Sequence, residues 1–203
     1  MVSATPRGAE TREAILERAV DLASEEGLEG MTIGRLAAEL ELSKSGLFGH
    51  FGSKEGLQLA TIETAAGRFV REVVEPVGEI EPGAARLRAL CDHYIRYLER
   101  EVFPGGCFWA AAAAEFDARP GPVRDAVAAA SAAWLRGLEH EAASAGAEDP
   151  AQLAFELQSL AQGANFAYQL FGDREAFSRA RRAIDRLLPG PAPSVQVDDP
   201  EKQ

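Results

Sequence analysis

No stretch of this 203-residue chain approaches the roughly 18 uninterrupted apolar residues that a membrane helix requires. The first residues, MVSATPRGAETRE, lack the apolar run of a signal peptide. A cytoplasmic protein with no membrane partner is expected. The two cysteines, Cys91 and Cys107, are too few for a disulfide framework. They read as reduced, buried thiols, with redox or electrophile sensing as the sharper alternative. Histidine is scarce: only His50, His93 and His140. Cys91 and His93 are two apart, which on a helix turns them away from each other. His140 stands between Glu139 and Glu141 on what reads as a solvated face. No HExxH, GxSxG or Glu-x-x-His pattern is present, and no Gly-rich phosphate loop. No catalytic residue, metal or cofactor is expected, and an enzyme is not the favoured reading. Positive charge is also in deficit: 21 Lys/Arg stand against 32 Asp/Glu, a net charge of −11. That balance weighs against indiscriminate nucleic-acid binding.

What the chain has is helical periodicity almost throughout, without a strand pattern or an internal repeat. The stretch Thr32 to Lys54, TIGRLAAELELSKSGLFGHFGSK, organises the rest. Thr32 is an N-cap type, and Ile33, Leu36, Ala37 and Leu40 come after it at helical spacing. Glu41-Leu42 makes a turn, and Ser43 caps a second short helix. Leu47 and Phe51 point into one core. Ser43, Lys44, Ser45, Phe48 and His50 are left for another surface. Gly52 ends the piece, and Ser53 caps the next helix. Two short helices joined by a tight turn form the helix-turn-helix unit, whose second helix enters a DNA major groove. Residues 1–56 carry six Lys/Arg and ten Asp/Glu, but from Thr32 to Lys54 the count is three bases to two acids. Such a binder relies on a local footprint and on backbone donors at helix starts.

The segment from about Thr11 to Leu59 resembles the N-terminal DNA-binding domain of the TetR family of bacterial transcription regulators. The matching residues are Thr32-Ile33, Leu36-Ala37, Leu42-Ser43-Lys44, Leu47-Phe48, His50-Phe51 and Ser53-Lys54-Glu55-Gly56-Leu57. Pro104-Gly105-Gly106-Cys107-Phe108 is similar to a loop-to-helix motif of one branch of that family. The resemblance implies a homodimer that binds a double-stranded, palindromic DNA operator, acts as a repressor and is released by a small-molecule effector. Lys44 and Lys54 are assigned to phosphate, Lys54 by the resemblance. The Thr32 hydroxyl and N–H sit at a helix start suited to phosphate. Ser45 and Gly49 are placed near base edges. Phe48 stands where the family often has Tyr, and without a hydroxyl it is left to touch a thymine methyl or to pack. His50 is assigned to backbone phosphate, or else to a packed structural role; its imidazole would make binding weakly pH-dependent.

The expected fold is all-α, with about nine helices in total. Residues 1–9 form a flexible arm from which Arg7 could touch DNA. Residues 10–58 form the helix-turn-helix domain, 59–188 a ligand-binding and dimerisation domain, and 189–203 a disordered tail. Thr11 caps a first helix that ends at Gly27. One long helix runs from Lys54 to Glu75, stopped by Pro76. Further helices cover Ala84–Val102, Cys107–Ala118, Val123–Ala145, Pro150–Phe171 (capped by Asp149) and Asp173–Leu188. Cys91, Tyr94, Phe108, Trp109, Trp134, Phe166 and Tyr168 fall on the central helices as candidates for an apolar effector pocket. Arg88, Arg96 and Arg100 are expected to face solvent or pair with acids. Leu153, Leu157, Leu160, Ala164, Phe177 and Ile184 mark the last two helices as a dimer interface. The rival reading is a helical ligand-binding protein or adaptor without DNA function, which leaves Lys44, Ser45, His50 and Lys54 unexplained.

Overall fold

The computed structural model describes residues 6–188, with side chains from residue 11 onward. The expected arm at residues 1–5, the Arg7 side chain and the tail at 189–203 lie outside the described residues. Nine α-helices and no strand occur among those described: α1 (Pro6–Glu26), α2 (Ile33–Glu39), α3 (Lys44–Phe51), α4 (Lys54–Phe69), α5 (Ala84–Glu99), α6 (Phe108–Phe116), α7 (Pro122–Ser144), α8 (Pro150–Phe171) and α9 (Glu175–Leu187). None is long and apolar enough to cross a membrane. Helix α1 begins at Pro6, ahead of the Thr11 cap expected from its hydroxyl. Proline is tolerated there because the first turn leaves its N–H positions unbonded in any case.

Helices α1 to α3 and the start of α4 form a compact head. Ile15, Leu16, Ala19 and Val20 of α1 are buried with Leu36, Leu47 and Leu57. Helix α3 is short and holds two glycines, Gly46 and Gly49. These lower its stability by about 2 kcal/mol relative to alanine. Full burial of Leu47 contributes about 1.5–3 kcal/mol and offsets that loss. Arg68 of α4 ties back to α1 through Asp21 at 2.6 Å and Glu17, and lies over the Phe103 ring at 5.0 Å.

Helix α4 packs against both α1 and α7, so it belongs to the head and to the C-terminal bundle at once. It does not run unbroken to Glu75. After Phe69 the chain makes a π turn, Val70–Val74, and then a 3-10 turn, Glu75–Val77. The Glu75 N–H bonds the Val70 carbonyl, five residues back. Pro76 explains the change: it has no N–H to give to Glu72, and its ring would clash with that carbonyl in an α-helix. Helices α5 to α9 make the bundle, with α8 lying along both α7 and α9.

Candidate nucleic-acid interface and effector pocket

The head presents α3 to solvent. Leu47 is fully buried, whereas Ser43, Lys44, Ser45, Phe48, Gly49 and His50 are all exposed, Phe48 by 54%. Ser45, Phe48 and Gly49 share one face at i, i+3 and i+4. Thr32 and Ser43 are N-caps: the Thr32 hydroxyl accepts from Arg35 N–H at 3.1 Å, and the Ser43 hydroxyl accepts from Gly46 N–H at 3.1 Å. Each hydroxyl keeps its own proton to donate. Ser43 and Ser45 hydroxyls lie 3.3 Å apart. Lys44 reaches alongside Gly34. His50 is not packed into the core; its ring is exposed and tilted against Phe51 at 6.1 Å.

Lys54 differs from the expectation. Its ammonium donates to the Glu29 carbonyl at 2.7 Å and pairs with the Glu29 carboxylate at 2.8 Å. That hydrogen bond holds the Glu29 carboxyl below the usual carboxylate range. The charge is engaged within the protein, because Glu29 lies in the turn that faces the start of α4. No helical periodicity marks that turn, so the sequence alone carried no sign of the pair.

Gly49 has nothing within 4 Å of the position a Cβ would take. Gly49→Ala is therefore expected to stabilise the protein by up to about 1 kcal/mol. If the backbone of α3 approaches DNA here, the same change lowers duplex affinity. Thermal unfolding and fluorescence anisotropy with labelled duplex check the two halves separately. Unchanged affinity would remove Gly49 from the interface.

The same turn joins the head to the bundle. The Glu115 carboxylate of α6 accepts from Leu28 N–H at 2.8 Å and Glu29 N–H at 3.0 Å. On the other side, Gln58 of α4 donates to the Leu28 carbonyl at 2.9 Å. Next to it, the Pro104-Gly105-Gly106-Cys107 loop is clamped between two helices. Gly105 N–H donates to the Ser24 hydroxyl at 3.0 Å, and a Cβ on Gly105 would lie 1.8 Å from the Ser24 carbonyl oxygen. Gly106, at φ 88°, faces the Gln169 amide of α8.

A cavity of about 410 Å³ opens between α4, the π turn, α5, α6, α7 and α8. Of the seven pocket candidates, Tyr94, Trp109 and Trp134 line it, together with Phe69. Phe69, Tyr94 and Trp134 meet edge to face, with centroids 5.0–5.8 Å apart. The Tyr94 hydroxyl accepts from Gln162 at 2.6 Å, and Trp134 Nε1 donates to Gln158 at 2.8 Å. The other four candidates lie elsewhere. Phe108 is buried in the core beside Phe103. Phe166 is 59% exposed on the outer face of α8. Tyr168 packs on Phe177 and bonds Glu101 at 3.1 Å. Cys91 turns to a separate, open groove between α5, α7 and α9. Helical rotation explains this: Cys91 and Tyr94 are three apart, near enough to share a broad face but not one cavity. Burial pushes the Cys91 thiol up to about 12 and raises that of Cys107. Both are then protonated and poorly nucleophilic, which favours the structural reading over sensing. Arg88, Arg96 and Arg100 pair with Asp185, Asp92 and Glu72, leaving the cavity without them.

The six interface candidates need correction. Leu153, Leu157, Ala164, Phe177 and Ile184 are buried within one chain, and Leu160 is packed against the same core. They join α8 to α9 and to the bundle. The apolar surface α8 leaves open is the other side: Phe155 (65% exposed), Phe166, Leu170 (62%) and Phe171 (69%). Periodicity shows that a face is apolar, not which neighbour covers it.

Comparison with known proteins agrees with this geometry. The signature described as "Bacterial regulatory proteins, tetR family" matches residues 15–61. That described as "Tetracyclin repressor-like, C-terminal domain" matches residues 83–184. The HTH-type transcriptional repressor AcnR of Corynebacterium glutamicum is 39% identical over 80 residues, which is 39% of this chain and 42% of that repressor. The chain thus matches less than half of that relative's length. A TetR transcriptional regulator from Chloroflexus aurantiacus shares the fold, with a TM-score of 0.82 over 90% of this chain and 96% of that one at 24% identity. AibR, in complex with isovaleryl coenzyme A and operator DNA, aligns with a TM-score of 0.69 over 87% of this chain and 97% of its own at 25% identity. An exposed second helix of a helix-turn-helix on a capped three-helix head, an aromatic cavity in the bundle, and signatures over both halves have one meaning: this chain is a transcription regulator of the TetR family.

Proposed function

We propose that this chain is a dimeric repressor that binds a palindromic operator and is released when a small, mostly apolar molecule enters the aromatic cavity. The carrying observation is the surface of α3, where Lys44, Ser45, Phe48, Gly49 and His50 all face solvent while Leu47, buried, and Phe51, half-buried, anchor the helix. Ser45, Phe48 and Gly49 read base edges; Lys44, His50, Thr32 and the Ser43 hydroxyl contact phosphate. The dimer forms through the open α8 face bearing Phe155, Phe166 and Phe171, with α9 beside it. Two heads about 34–36 Å apart then enter successive major grooves. AibR, holding an acyl-coenzyme A and operator DNA together, supports a fold with room for both.

Selection of duplexes from a random pool by the purified protein tests this. The expected result is a palindrome with half-sites about one helical turn apart. If no sequence is enriched at any salt concentration, the operator reading fails and a ligand-binding protein without DNA function takes its place. On the selected site, Lys44→Ala should reduce the salt slope by about 1 and weaken binding to all duplexes alike. Lys54→Ala should change the slope less, because its charge is already returned to Glu29. Equal slopes for wild type and Lys44→Ala would take Lys44 off the phosphate contacts.

A further inference from the structure

The cavity is apolar and aromatic over most of its wall, and Arg86, Ser131, His140, Glu141 and Gln158 are its polar lining. Among these, Glu141 of α7 lies 6% exposed. One of its carboxylate oxygens, Oε1, sits 3.2 Å from Nε of Arg86. The other, Oε2, is shielded from solvent and has no hydrogen-bond partner. A buried carboxylate oxygen can only accept, and leaving it without a donor is unfavourable. Phe69, Tyr94, Trp109 and Trp134 stand in the same cavity. Aromatic faces attract organic cations. Arg86 and Glu141 face each other there as an ion pair, and Arg86 Nε likewise makes no hydrogen bond, so what separates the two is the second carboxylate oxygen, which has no donor facing it. The large groove along α5 and α9 offers no comparable feature: its cations, Arg88 and Arg181, are paired with Asp185, Asp92 and Glu99.

From this we infer that the effector is a hydrophobic amine, whose protonated nitrogen pairs with the Glu141 carboxylate once a turn of that side chain brings Oε2 to the cavity, while its apolar body lies among the aromatic rings. The inference rests on the cavity being the effector site. It adds a charge to the mostly apolar ligand proposed above. Arg86 holds the carboxylate in place, and Glu141 gives the site its choice of charge.

The chain carries two tryptophans, Trp109 and Trp134, and both line this cavity. Their emission therefore reads occupancy directly. The intact protein is titrated with 4-phenylbutylamine, 4-phenylbutanol and 4-phenylbutanoate, which share one body and differ in charge. The amine is expected to bind about tenfold more tightly than the alcohol, or better, and the carboxylate weakest. Glu141→Gln should abolish the preference for the amine, and Glu141→Asp should keep part of it. The wild-type series stands even if a variant folds poorly. Equal or tighter binding of the alcohol or the carboxylate, or a preference that survives Glu141→Gln, overturns the amine assignment and leaves the cavity as the effector site. No change in emission with any of the three overturns the assignment and the cavity reading together.

Discussion

Gly105→Ala should lower stability by about 3 kcal/mol or more, near or beyond the upper end of ordinary overpacking. For a chain of this length that corresponds to a fall in Tm of roughly 6–12 °C. A methyl group at this position would sit 1.8 Å from the Ser24 carbonyl oxygen, 2.2 Å from its carbon and 2.6 Å from the Glu25 nitrogen. All three are backbone atoms at the end of α1, so no rotamer change can relieve the contact. The loop must retreat, and with it goes the bond from Gly105 N–H to the Ser24 hydroxyl. Gly137, inside α7 with nothing within 4 Å, supplies the control: Gly137→Ala should be neutral or stabilising by up to about 1 kcal/mol. Calorimetry on the three proteins decides. A Gly105→Ala protein as stable as wild type would show that the loop and α1 are not held in the contact described.

Glu115→Ala should leave a protein that folds and binds its operator but answers its effector poorly. Two backbone donors, Leu28 N–H and Glu29 N–H, lose a shared carboxylate acceptor. Each such bond to a charged group is worth about 1.5–3 kcal/mol, and partial exposure places the total near the low end. The functional effect is expected to be larger than the loss of stability. Helix α6 carries Trp109 into the cavity at one end and Glu115 to the head at the other. The turn that Glu115 holds is also held by Lys54 and Gln58 of α4. Movement of α6 on ligand entry would therefore pull on the turn that sets where α4, and so the head, begins. With the carboxylate gone, the ligand still binds, and the shift it produces in operator affinity should fall by about tenfold, a coupling of about 1.4 kcal/mol. Operator titrations with and without effector measure that ratio. A full response in Glu115→Ala would show that coupling runs through another contact.

Local chemistry makes much of this legible in the sequence. Thr32, Ser43, Ser53 and Asp149 are each of N-cap type, and each accepts from the N–H three residues on. Gly172 ends α8 in a left-handed conformation, with φ 69°, as a glycine after a helix does. The turn residue Glu41, at φ 54°, gives no such sign, since nothing in its chemistry favours that region over another. The partners of Lys54 and Glu115 are also out of reach. Lys54 and Glu29 are 25 positions apart, and Glu115 and Leu28 are 87 apart.

By itself, the sequence determined most of the helices, the caps Thr32, Ser43, Ser53 and Asp149, and the exposed face of α3, because each depends on contacts within a few residues along the chain. The PGGC loop was visible as a break, but the need for both glycines appeared only once α1 and α8 were in place on either side of it. The tertiary structure alone decided that Cys91 leaves the cavity while Trp109 and Trp134 stay. It alone buried Leu153 and Leu157 within the chain and turned Phe155 and Phe171 outward. The π turn before Pro76 brought Val70 and Val74 to the cavity wall. Helical periodicity specifies which side chains share a face. Which neighbour that face meets depends on how helices distant in sequence pack, and that is settled by the folded chain as a whole.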